Sequence, residues 1–297
     1  MSAVTRTAVL RALMKLVDVD AHEGPVYVAA DDALYFTTVP QDLRVSIKRL
    51  SLATGQVGVV RHEANMANGM TLAPDGTLLV CEQGTHERPA QIASVDRRTG
   101  ESRTVVAAAG GESLNSPNDI VVGHDGAVWF TDPTYGHLQG FRPAPGRGDA
   151  VLRFDPATGR TSVVANDFDK PNGLAFSPDG RTLFVGDSGA NHEPGSFDPA
   201  RPHHVRMFDV VGGRLSNDRL FAEIEPGFPD GLKVDALGRV YVSCFDGVQI
   251  FDPVGELLET IPVPGAVNFT FGRAGRDTLF ITADTAVWAA VLDAKGA

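Results

Sequence analysis

Cysteine is nearly absent. The 297-residue chain has two, Cys81 and Cys244, too few for a disulfide framework. An excess of positive charge is also lacking: 26 Lys and Arg stand against 37 Asp and Glu, a net charge of −11 with no basic run. Binding a phosphate backbone requires neutralising it, so nucleic acid is excluded as a partner, and an acidic surface disfavours anionic lipid. No stretch approaches the roughly 18 consecutive apolar residues that a membrane span needs. The segment Met1 to Leu16 has Arg6, Arg11 and Lys15 scattered through it. It makes a poor signal peptide, having no uninterrupted apolar core before a small-residue cleavage site. A cytoplasmic location is the resulting expectation. Familiar catalytic signatures are missing too. There is no Gly-x-Ser-x-Gly elbow and no phosphate-cradling loop. The eight His residues make no paired metal-ligand spacing.

Glycine, by contrast, is plentiful, with 32 residues alongside 19 prolines, which predicts many turns and few long helices. A helical period is confined to roughly the first 17 residues. The rest is built on repeats. One pattern is a turn followed by a short apolar strand: ADDALYFTT (30–38), APDGTLLVCE (73–82), GHDGAVWFTD (123–132), SPDGRTLFVGD (177–187), DALGRVYVSC (235–244) and RAGRDTLFITA (273–283). Asp-Gly between β-rich runs is a hairpin signal, because the tight turn needs a positive φ. A second pattern alternates with the first: SIKRLSLATG (46–55), IASVDRRTG (92–100), VLRFDPATG (151–159), VRMFDVVGG (205–213), VQIFDPVG (248–255) and AVWAAVLDAKG (286–296). Two hairpins in each of six units predict an all-β, six-bladed β-propeller with four-stranded blades. A β-sandwich or an up-and-down barrel does not demand two motifs alternating six times in phase. LMKLVDVD (13–20) is expected to close the ring by completing the last blade, making residues 1–297 one domain.

Aligning the units on the strand after the turn exposes a shared position ten or eleven residues upstream. It holds Glu23, Asn68, Asn118, Asn172, Asp230 and Asn268. The one-residue difference is assigned to the turn. Innermost strands of a propeller line its channel, so these residues form a ring at one mouth. A ring of carboxylates and amide carbonyls suits a hard cation, with Glu23 and Asp230 balancing a divalent charge and Asn118 and Asn172 adding neutral oxygens. Taken singly, each residue could instead cap a strand or turn. Only the register shared across blades points to metal. Near the same mouth the following strands end in Glu82, Asp132 and Asp187, read as contacts to a polar substrate or as solvated turns. His22, beside Glu23, faces the channel or packs in the core. The inserts 137–149 and 189–204 either shape the pocket or are surface loops. Cys81 and Cys244 fall on opposite sides of the ring as buried free thiols.

AHEGPVY (21–27), SPNDIVV…DGAVWFTDPTYG (116–136), PNGLAFSPDGRTLFVGDS (171–188) and FPDGLKVDALGRVYV (228–242) resemble the senescence-marker-protein, gluconolactonase and luciferin-regenerating-enzyme family. The likeness runs from about residue 17 to 288 and is strongest to the bacterial gluconolactonases. It implies a propeller with one divalent cation in the channel, held by Glu23, Asn172 and Asp230, with Asn118 contacting metal or substrate. Ca2+ is the first expectation, with Zn2+, Mg2+ or Mn2+ as alternatives. The implied activity is metal-dependent hydrolysis of a sugar lactone, with Asp230 as the base or the group that orients water. Hydrolysis of other esters or organophosphates, and a non-catalytic propeller with a structural cation, are the alternatives. Some members carry an arginine two residues before the Asn118 position, where it binds the sugar acid; here Ser116 stands there.

Overall fold

Short apolar strands punctuated by Gly and Asp cannot bury both faces alone, so they pair into sheets that stack on one another. A computed structural model describes residues 9–193 and 195–297 of the chain. Residues 1–8 of the expected single domain, and Pro194 of the 189–204 insert, lie outside the described residues. Six four-stranded antiparallel sheets form the blades of a propeller. Blade one is Val26–Val28, Ala33–Thr37, Ile47–Ser51 and Val57–Arg61; blade two is Ala67–Leu72, Leu78–Glu82, Gln91–Val95 and Ser102–Val106. Blade three is Ile120–Val122, Val128–Asp132, Ala150–Asp155 and Arg160–Ala165; blade four is Pro171–Phe176, Thr182–Asp187, His204–Val211 and Arg214–Glu223. Blade five is Leu232–Val234, Val240–Cys244, Gly247–Phe251 and Leu257–Ile261.

Blade six takes three strands from the end of the chain, Asn268–Gly272, Thr278–Thr282 and Asp284–Leu292, and its outer strand, Leu10–Ala21, from the beginning. The ring therefore closes as expected, with Lys15 opposite Trp288 and Val17 opposite Val287. From Leu10 onward the helical period of the opening segment is overridden. The free edge of Asp284–Leu292 offers a ladder of backbone partners, and pairing with it outweighs a weak local preference. The turn that absorbs the one-residue slack is also visible. The closing backbone bond runs Ala73 to Thr77, Gly123 to Ala127 and Asp235 to Arg239, but Ser177 to Thr182 in blade four.

Six hydrophobic clusters lie among the described residues, and each draws on two neighbouring blades. Trp129 of blade three, for instance, packs with Leu174 and Leu183 of blade four. Apolar burial thus sits between blades and leaves the centre of the ring to polar groups. There the inner strands meet at backbone distance. Gly69 N donates to Asn118 O at 2.8 Å and Gly173 N to Asp230 O at 3.0 Å. A Cβ on Gly173 would come 2.1 Å from Asp230 O, whereas one on Gly58, exposed on the outer strand of blade one, would meet nothing within 4 Å. Gly173→Ala is therefore expected to lower stability by roughly 2 kcal/mol or more through overpacking. Gly58→Ala should be neutral or slightly stabilising. Urea titrations of the two variants check this.

Candidate functional site

The ring residues enter the channel at one level because each faces the same point of its second strand. Thr37 N donates to Glu23 O at 2.9 Å, Asn118 N to Thr131 O at 2.9 Å and Asp230 N to Ser243 O at 3.0 Å, while Asn268 pairs with Thr282. In blades two and four a register shift sets Asn68 and Gly69 against Cys81, and Asn172 and Gly173 against Gly186. Such a bulge turns a side chain out of the sheet's alternation. A glycine follows the ring residue in four blades, and each makes the step to the next. A Cβ on Gly24 would meet Asn68 O at 2.6 Å, one on Gly69 would meet Asn118 O at 2.4 Å, and one on Gly231 would meet Asn268 Oδ1 at 2.5 Å. Gly173 completes the set against Asp230. Side-chain contacts close the remainder: Asn268 Nδ2 donates to Glu23 Oε2 at 2.8 Å.

The site concentrates negative charge. Glu23 is 3% exposed, Asn118 and Asn172 are buried, and Asp230 retains accessible surface. Burial raises the Glu23 carboxyl above its ordinary value, with His22 pulling it down and Asp119 adding to the rise. Burial, and then the charge of Glu23, raise Asp230 well above the carboxylate range, against His22 and the Asn172 side chain. His22 faces the site rather than the core, and its Nδ1 lies 2.7 Å from Asp284 Oδ1.

Asp119 is the functional-site residue that the sequence reading passed over. It occupies the step where four other blades carry glycine and blade six carries Phe269. It is 2% exposed, its Oδ1 accepts Ile120 N at 2.8 Å, and burial raises its carboxyl with Lys233 opposing. Its presence at a glycine position is the signal that was available. A second signal is the set of small hydroxyl residues at the fourth position of the shared strand motif, at or one place before the end of the second strand. Thr37 Oγ1 donates to Glu23 O at 3.1 Å, Thr282 Oγ1 to Asn268 O at 3.0 Å, and Thr131 Oγ1 accepts Asp119 N at 3.0 Å. These hydroxyls fix the backbone from which the ring side chains project.

The donor set fits a divalent cation. Asn68 Oδ1, Asn118 Oδ1 and Asp119 Oδ2 are buried and accept no hydrogen bond, and a buried acceptor without a donor is costly unless something positive meets it. Much of the set is amide. No cluster of three or more His, Cys, Asp or Glu side chains spaced to hold a metal occurs among the described residues.

Glu82, Asp132 and Asp187, expected at the mouth as substrate contacts, are buried, and their partners are protein groups. Asp132 accepts Asn115 N at 2.9 Å, Ser116 N at 3.1 Å and Arg147 Nη2 at 3.1 Å. Asp187 accepts Asp169 N at 3.0 Å and Lys170 N at 2.8 Å. Glu82 accepts Asn65 Nδ2 at 3.1 Å and Gln91 Nε2 at 2.7 Å. Each carboxylate grips the segment that leads into its blade's ring residue.

The 137–149 insert is pinned. Phe141 enters the cluster between blades one and two, and buried Arg142 donates to the carbonyls of Leu114, Asn115, Thr85 and Arg88. In the 189–204 insert, Ala190 N donates to Pro202 O at 2.8 Å and Arg201 pairs with Asp169. Both thiols are free and buried. A cavity of about 830 Å³ lies elsewhere, between the outer strands of blades three and four beside Arg153 and Arg214. The far end of the channel opens into about 400 Å³ beside Lys233 and Tyr27. No helix among the described residues is long and apolar enough to cross a membrane.

Residues 21–285 match the model of the SMP-30/gluconolactonase/LRE-like region. The chain belongs to this family. It is 32% identical over 289 residues to the gluconolactonase of Zymomonas mobilis, covering 90% of this chain and 77% of that one. A gluconolactonase from Xanthomonas campestris superposes with a TM-score of 0.81 at 34% identity, covering 94% and 89% of the two chains. A structural-genomics target described as a candidate gluconolactonase gives 0.84 at 30%, covering 97% and 96%.

One consequence for this family member concerns pH. Burial pushes the Asp132 carboxyl up to about 6, against the Asn115 and Ser116 amides and Arg147. A folded-state pKa above the unfolded value means that the folded chain binds more protons across that window. Stability is then lost as pH rises from about 4 to 6, by on the order of 2–3 kcal/mol for this group. Asp132→Asn retains one acceptor oxygen and removes the titration. Denaturant melts across pH 4–7 should show a shallower loss in the variant than in the parent chain.

Proposed function

We propose that this chain is a metal-dependent lactonase that opens a sugar lactone with water. The observation that carries this reading is the gathering of Glu23, Asn172 and Asp230, with Asn118, at one mouth of the channel in a gluconolactonase-family chain. These four residues would hold the cation. Their oxygens favour Ca2+, with Zn2+, Mg2+ and Mn2+ as alternatives. A divalent cation supplies polarisation of an ester carbonyl and a lowered pKa for water.

Asp230 keeps accessible surface and takes a proton from the attacking water. A bond forms between the water oxygen and the carbonyl carbon, and the ring C–O bond breaks. The proton passes from Asp230 to the departing ring oxygen, leaving a hydroxy acid. The Asn118 amide nitrogen offers a donor to a substrate oxygen. Glu82, Asp132 and Asp187 act one step back, holding the segments that carry Asn68, Asn118 and Asn172 in register. Ser116 supports a second reading, hydrolysis of other esters. Its hydroxyl donates to Pro133 O and accepts Gly136 N, so it offers no charge to a sugar acid.

Acid release from δ-gluconolactone and a panel of sugar lactones, aryl esters and organophosphates tests the proposal. Turnover should vanish with chelator and return with Ca2+. No turnover anywhere in the panel would instead indicate a binding propeller with a structural ion. Asp230→Ala should lower kcat by about 10²–10⁴, and a fully active variant would remove Asp230 from the chemistry. Glu23→Gln should lower the divalent metal that copurifies, as read by elemental analysis.

A further inference from the structure

Three phenylalanines crowd the channel mouth at blade five. Phe228 lies two residues before Asp230. Phe245 lies two residues after Ser243, whose backbone oxygen accepts Asp230 N at 3.0 Å. Both segments that meet at Asp230 therefore carry Phe at the same remove from that contact. The rings pack edge-on in a chain, with centroids 5.3 Å apart for Phe228–Phe245 and 5.4 Å for Phe197–Phe245, and the His203 ring closes the row 6.4 Å from Phe197. Phe197, from the 189–204 insert, is 42% exposed and Phe245 46%, whereas Phe36, Phe130, Phe269 and Phe280 are fully buried.

The platform is braced from beneath. Gly227 has φ +103°, and a Cβ there would come 2.6 Å from Phe245 Cγ, so the Phe245 ring rests on bare backbone. Phe245 N donates to Pro226 O at 3.4 Å. At the same step past the second strand, blades two, three, four and six carry Gln83, Pro133, Ser188 and Asp284. Blade five alone among these sets a large aromatic there. Clustered aromatic surface left in water marks a binding site. Three rings beside a reactive centre are far smaller than the roughly 800 Å² that each partner buries in a stable protein interface, which favours a small molecule as the occupant.

We propose that Phe197, Phe228 and Phe245 form an apolar subsite that seats an alkyl or aryl substituent of the lactone while its carbonyl lies at Asp230. This rests on the lactonase reading and narrows its substrate class: the preferred lactones are those with an apolar arm.

The test compares δ-valerolactone with δ-decalactone, which adds a pentyl chain to the same ring. The chain is expected to raise kcat/KM by about tenfold, mainly through KM, given about 0.8 kcal/mol per buried methylene and partial burial on an open platform. Phe245→Ala and Phe197→Ala should each shrink that preference threefold or more, with unchanged melting temperature, and Phe245→Leu should restore part of it. A parent enzyme indifferent to the chain, or variants that keep the full preference, would overturn the subsite. Should no lactone turn over, the lactonase reading falls. Calorimetry with δ-valerolactam and its pentyl derivative then decides the subsite alone. Tighter binding of the pentyl lactam that weakens in both variants upholds it, and equal binding overturns it.

Discussion

The site depends on how closely six inner strands approach around the axis. Hydrophobic clusters between blades pull the sheets together until backbone meets backbone at the channel. At Gly24, Gly69, Gly173 and Gly231 there is room for a hydrogen atom and nothing larger. This contact fixes the height of each strand relative to the next, because Gly69 and Gly173 each donate to the carbonyl of the neighbouring ring residue. Height alignment is therefore a by-product of ring closure. Side chains one position before the glycines are carried to a common level with no further adjustment.

Once aligned, those side chains create an electrostatic problem that the protein leaves open. Glu23, Asp119 and Asp230 are brought within reach of one another's charge. The compensating protein charges that reach them are His22 and Lys233, and Asp284 also draws on His22. Amide oxygens of Asn68 and Asn118 add further acceptors without donors. Burying charge and acceptors unpaired opposes folding. Proton uptake by the raised carboxyls relieves part of this charge, and a cation at the mouth, as proposed above, would relieve the rest and meet the amide oxygens.

Much of this was legible in the sequence. Alternating turn motifs announced six blades, and counting back from one strand located all six ring residues, since register in a half-buried strand allows no slip without exposing its apolar face. The closing strand was legible because the last blade lacked a partner. Three things were not. Asp119 hid behind Asn118 because a one-residue step reads as a turn dipeptide until the neighbouring blade is seen against it. Glu82, Asp132 and Asp187 end their strands near the mouth, but sequence position does not say whether a carboxylate meets solvent or curls back onto backbone amides; the segments leading into Asn68, Asn118 and Asn172 supply those donors. The phenylalanines at 197, 228 and 245 come from three separated segments, and only folding brings them into one row.

The hub and the rim answer to different constraints. A substitution at Gly173 or Asp119 disturbs the spacing of two blades, so hub residues are tied to ring closure. Residues past the second strands are not. Gln83, Pro133, Ser188, Phe245 and Asp284 occupy one structural step yet share no chemistry. The 189–204 insert joins at this level, with Arg201 paired to Asp169 and its end running into the third strand of blade four. A fixed oxygen-rich centre can therefore be surrounded by a rim whose polarity changes blade by blade. In this chain the apolar sector of that rim lies over blade five, against the one ring carboxylate that keeps accessible surface.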